Sequence, residues 1–323
     1  MSRAEAKAGG PAVGEPEAAA GHTGGPSGTA GAGGPAAAVA VRAPRPLWTL
    51  GLFRSELVTV FRRRRTMALC AVLAGVPLLV GIAVRIETRG GGSVGGDRGN
   101  GPAFIEQVSN NGLFLTFAGL AATLPFFLPM AVGVVAGDAI AGEASGGTLR
   151  YLLVAPAGRT RLLIAKYVSV LVFCLAATLV AAVSALVVGF ALFPVGDVTT
   201  LSGTTLSLPE GMLRALLIAL LVAASLVGIA ALGLFVSTLT DSGIGAMATT
   251  VGLLITVQIV DSFPQLHAIQ PYLFTHYWLS FADLLRDPVT WTGIGKNLGL
   301  QAMYAAVFGS AAWARFTSRD ITA

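Results

Sequence analysis

Apolar residues in this chain come in long blocks divided by short polar breaks, and six blocks have roughly the length that crosses a bilayer. They lie at about residues 67–84, 113–136, 167–193, 212–239, 246–263 and 297–314. A helix rising 1.5 Å per residue needs roughly 20 apolar residues to span a hydrocarbon core about 30 Å thick. Backbone N–H and C=O groups find no water there, so each block predicts an α-helix. Pro77, Pro125 and Pro129 fall inside blocks. They predict kinks whose freed carbonyls are satisfied by neighbouring helices.

The flanks read differently. Residues 1–46 are Gly, Ala and Pro with almost no large apolar side chain, which predicts a disordered tail. Its alanine-rich stretch is too short for the apolar region of a signal peptide. Over 47–65, Leu50, Phe53, Leu57, Val60 and Phe61 recur at helical spacing, while Arg54, Glu56, Thr59, Arg62 and Arg63 point elsewhere. That predicts an amphipathic helix lying in the membrane interface, with Trp48 near the headgroups. A solvated lead-in to the first span is the other reading.

Composition agrees with a membrane class: 54% of the 323 residues are hydrophobic and 11% charged, against roughly 25% charged in an average soluble domain. The net charge of +5 does not point to nucleic acid, because the basic residues sit beside apolar blocks, as topology signals do. With the N-terminus inside, fifteen Lys and Arg face the cytoplasm and six face out. Arg62 to Arg65 anchor the first span. The fold class predicted is an all-α integral membrane protein of six transmembrane helices, N-in and C-in, multi-pass in the plasma or inner membrane. Cys70 and Cys174 lie within blocks and read as small buried apolar residues.

One cytoplasmic segment is too polar to cross yet too patterned for a linker: GDAIAGEASGGTLRYLLVAPAGRTRLLIAK, residues 137–166. It predicts a short helix from Asp138, a turn at Ser145 to Gly147, a second short helix through Leu153, and a Pro-Ala-Gly turn. Glu143, Gly147, Thr148, Leu149, Leu152, Leu153, Pro156, Arg159 and Lys166 resemble the signature of type-2 ATP-binding-cassette (ABC) permeases, the six-span subunits of many bacterial exporters. The ending FTSRDITA, with Arg319 and Asp320, is similar to that family's short cytoplasmic tail. Ala157 and Arg150 depart from the pattern, and the 1–46 tail lies outside the resemblance, which covers 47–323.

The resemblance implies that 47–323 is a permease domain and 137–166 a coupling loop docking into a separate ATPase subunit. A short amphipathic helix on such a loop is a helix-in-groove ligand. Leu149 and Leu152 would be its anchors, Glu143 would meet donors on the ATPase, and Arg159 and Arg161 would meet acidic groups or lipid phosphate. A local cap at Glu143 and topology-holding arginines are the plainer alternative. A second permease copy, identical or related, would complete the assembly. No GxxxxGK[ST] occurs, since Gly295-Lys296 is followed by Asn297. ATP and Mg would therefore be held by the partner, with no cofactor, metal or catalytic residue in this chain. A non-transporting scaffold recruiting a partner through the same loop is the alternative, and a secondary transporter ranks behind it because the blocks hold almost no carboxylates.

Three further features carry less. Tyr272, Phe274, Tyr277, Trp278 and Phe281 crowd the loop after the fifth block, as either an aromatic belt or part of an exit gate. Asp283 and Arg286 predict a surface ion pair. Gly133 and Gly137 form a GxxxG, either for close packing within the chain or for a dimer face.

Overall fold

The computed structural model describes residues 46–90, 108–147, 158–196, 198–199 and 204–318. The disordered-tail expectation for residues 1–45 lies outside them. Helix α1 (Pro46–Arg62) is separated from α2 (Arg64–Gly90) by Arg63 alone. Then come α3 (Phe114–Thr123), α4 (Phe127–Ser145) and the 34-residue α5 (Arg159–Leu192). Helices α6 (Leu208–Ser225), α7 (Val227–Leu239), α8 (Gly243–Ser262) and α9 (Trp291–Ser318) complete the order. Between α5 and α6, β1 (Val198–Thr199) and β2 (Thr205–Leu206) pair antiparallel, with Val198 opposite Leu206. Three 3-10 turns, Pro264–Leu266, Gln270–Tyr272 and Trp278–Leu285, fill the stretch before α9.

Helices α2, α4, α5, α8 and the run α6–α7 are each long and apolar enough to cross a membrane. The crossing-length windows of α6–α7 and α4 are 72% and 67% buried, whereas those of α2 and α8 are 22% buried. The first pair forms the centre of the bundle and the second its flanks.

Three of the six predicted spans are built differently from a plain apolar helix: the second, the sixth and the fourth, which is broken at Leu226 between α6 and α7. The second is broken at Leu124 to Phe126 into α3 and α4. Pro125 supplies no N–H, and its own carbonyl accepts from the Gln258 amide of α8. The sixth, within α9, falls short of the apolarity of the others because it carries polar residues, and these face inward. Asn297 and Gln301 are buried, while Leu298, Met303, Val307 and Trp313 are exposed. Asn297 donates to Ser225 Oγ at 2.6 Å, and Gln301 to the Phe274 carbonyl at 2.8 Å. Gln301 Oε1 also accepts from the Gly228 N–H at 3.1 Å, satisfying a backbone donor at the α6–α7 break. There the Val227 carbonyl accepts from the Tyr167 hydroxyl at 3.2 Å.

Close packing, which holds helices together where lipid removes the hydrophobic driving force, uses the GxxxG within the chain. A Cβ on Gly137 would lie 3.0 Å from the Met247 backbone of α8, and one on Gly133 would lie 3.3 Å from Thr250. The aromatic cluster is largely core: Phe274, Trp278 and Phe281 are buried, whereas Tyr272 is exposed. Phe274 packs on Trp278 and on Tyr304 of α9. The Asp283–Arg286 pair forms at 3.6 Å.

Candidate functional site

The chemistry of this bundle concentrates where α1, α2, α4 and α5 meet. Helix α1 lays Val60 and Phe61 against the core, with the Phe61 ring 6.2 Å from that of Phe173 on α5. That contact turns Glu56 inward. Lys166, about two turns into α5, is 2% exposed at its side chain. Its ammonium lies 3.2 Å from Glu56 Oε2 and 2.5 Å from Glu143 Oε1. Both carboxylates are nearly as deep, at 10% and 11%. One lysine therefore joins three helices.

A second cluster lies five residues back on α4. Asp138 accepts from both Arg63 and Arg65, which straddle the start of α2. Its other oxygen faces the first residue of α8, where a Cβ on Gly243 would come within 2.7 Å. Arg62 and Arg64 are exposed. Both clusters line one cavity of about 30 Å³, room for about one water. Its charged lining, Glu56, Asp138 and Glu143 against Arg63, Arg65 and Lys166, sums to zero. Arg63 and Arg65 reach solvent, but charges as deep as Lys166, Glu56 and Glu143 persist only when paired, and removing one partner of such a pair costs about 3–5 kcal/mol.

These contacts revise several sequence expectations. The segment from Gly137 to Ser145 is the last two turns of α4, not a separate short helix entering at Asp138, because two arginines neutralise Asp138 and the helix continues. The Gly146–Gly147 turn is present, with Gly147 at φ 70°. Glu143, expected to reach donors on a partner, pairs with Lys166 inside the chain. Arg159 donates to the Thr317 carbonyl at 3.0 Å, linking the start of α5 to the end of α9. Gly158, at φ 75°, precedes it. Thr148, Leu149, Leu152 and Pro156 lie outside the described residues. Sequence reading assigned Glu56 to the solvent face of α1. The available signal was a lone acid in a helix followed by four arginines.

A family model described as a protein of unknown function, DUF2705, matches residues 98–322. The chain belongs to that family. Among individual relatives, this DUF2705 member is similar to a protein of Pseudomonas aeruginosa named as the probable ABC transporter permease protein NosY. Identity is 32% over 157 residues, covering 49% of this chain and 50% of that protein. A NosY of Stutzerimonas stutzeri is 40% identical over 68 residues, covering 21% of this chain and 25% of that protein. The chain thus spans half or less of the length of these curated relatives. With five helical segments of crossing length among the described residues, the DUF2705 member is a multi-pass protein of the cell membrane.

Proposed function

We propose that this chain is the membrane permease subunit of an ABC transporter, working as an exporter with ATP hydrolysed on a separate cytoplasmic ATPase. The observation that carries the reading is the Lys166 clasp. Residues 148–157 connect α4 and α5 along the chain, and those two helices are tied to each other and to α1 by one buried ammonium. A push on the loop would then move three helices together rather than flex a linker. In this reading α9 is the sixth span, both termini are cytoplasmic, and α1 lies in the inner interface. Gly147, Thr148, Leu149, Leu152 and Pro156 form the docking element. Glu143, Lys166 and Arg159 set its two ends. A second permease copy completes the assembly. The match to two proteins named as probable ABC permeases supports the same class.

The test is reconstitution of the full chain with a cytoplasmic ABC ATPase subunit of the same organism. Leu149→Ala with Leu152→Ala should lower ATPase co-purification at least tenfold while the protein still inserts. Retention of the ATPase at the wild-type level, with ATP-driven export unchanged, would overturn the assignment.

A further inference from the structure

Consecutive arginines run from the end of α1 into the start of α2, and the bundle treats them in alternation. Arg63 and Arg65 turn inward to share Asp138. Arg62, the last residue of α1, and Arg64, the first of α2, are exposed. No ion pair among the described residues includes either of them. The nearby carboxylates are already engaged inside, Asp138 by its two arginines and Glu56 by Lys166. Two guanidiniums are left open to an anion from outside the chain.

The surfaces on either side say what kind of anion fits. Val60 and Phe61 of α1 are spent on the core, so Arg54, Val58 and Arg62, at successive i,i+4 positions, form its exposed side. Helix α2 changes character within one turn. Met67, Leu78 and Ile82 share the face of Arg64 and are 62%, 43% and 41% exposed. Helix α2 is long and apolar enough to cross the membrane, and this face meets hydrocarbon. A matching ligand therefore carries negative charge at one end and an apolar chain at the other. Free phosphate or an acidic protein surface would suit the arginines and leave the apolar face unmatched.

We propose that the α1–α2 junction binds an anionic phospholipid, its phosphate received by Arg62 and Arg64 and an acyl chain lying along Met67 and Leu78. Guanidinium N–H groups make strong charge-assisted hydrogen bonds to phosphate oxygens. Asp138 sorts the arginines: by holding Arg63 and Arg65 it fixes which two stay free for the lipid. The site rests on the membrane class of the chain and not on the transport reading.

Native mass spectrometry of the full chain in detergent, with phosphatidylglycerol or phosphatidylcholine added, tests it. Wild type should retain the anionic lipid about tenfold better than the zwitterionic one. Arg62→Gln with Arg64→Gln should erase that preference, since each arginine at an anionic lipid surface contributes about fivefold. Arg161→Gln with Arg315→Gln removes the same charge from exposed positions on α5 and α9 and should leave the preference intact. Glycerol 1-phosphate, which has the phosphate without the tails, should not displace the lipid at matched concentration. Equal retention of the two lipids by wild type would overturn the site, as would equal losses in the two double variants. Displacement by glycerol 1-phosphate would overturn the lipid as its ligand in favour of a soluble phosphate.

Discussion

Replacing Lys166 by methionine keeps a long flexible side chain and removes the charge that faces both Glu56 and Glu143. All three groups are about nine-tenths buried or more, so water cannot take over the pairing. Breaking a buried ion pair from one side costs about 3–5 kcal/mol. At roughly 2–4 °C per kcal/mol, a scale set by domains of 150–250 residues, the unfolding midpoint in detergent should fall by about 6–20 °C. Fluorescence-detected thermal unfolding of the purified chain reads this directly. The charge argument makes a second, sharper demand. If the loss comes from two stranded carboxylates, the triple variant Glu56→Met, Glu143→Met, Lys166→Met should recover most of it, because hydrophobic groups of similar volume often replace a buried ion cluster at little cost. A midpoint that stays put in the single variant refutes the clasp. A triple variant no more stable than the single one refutes the electrostatic account of it.

Gln301→Leu should lower the midpoint by several degrees, since the Gly228 N–H and the Phe274 carbonyl both lose their partner and each orphaned buried group costs about 1–3 kcal/mol. Faster amide exchange at Gly228 would locate the loss at the α6–α7 break. Gly137→Leu drives a side chain into the Met247 backbone and should abolish the monodisperse peak in size-exclusion chromatography. Gly252→Leu on the same partner helix, with open space around it, should leave the peak intact. Asp138→Asn weakens the hold on Arg63 and Arg65, and limited trypsinolysis should cut there faster than in wild type.

The apolar blocks made α2, α5 and α8 legible because a helix in lipid must be apolar wherever it meets lipid. The same rule hides the residues that matter most inside the bundle. Asn297 and Gln301 lower the apolarity of α9, yet they are what the α6–α7 break leans on. Only the tertiary contact reveals that they face inward. Glu56 shares its polar neighbourhood with Arg54 and Arg62, and periodicity alone cannot tell which of these will meet a lysine 110 positions away. The aromatic loop misled for a related reason: Trp and Tyr suit an interface, but enrichment says nothing of which side of the ring is covered. The 137–166 segment was readable as a special place from residue order, whereas the inward turn of Glu143 depended on the position of α1.

The two broken helices share a construction that sets how this bundle can deform. At each break, a backbone group left without a helical partner is held by the amide of a glutamine on a different helix: Gln258 for Pro125, and Gln301 for Gly228. Spinning α8 or α9 about its axis by one residue, roughly 100°, would swing that amide away and leave a polar group bare in hydrocarbon. Bending at the break leaves the amide within reach. The bundle is therefore stiff against torsion of its helices and compliant in flexure at two defined heights, a mechanical anisotropy that favours tilting half-helices over rotating whole ones.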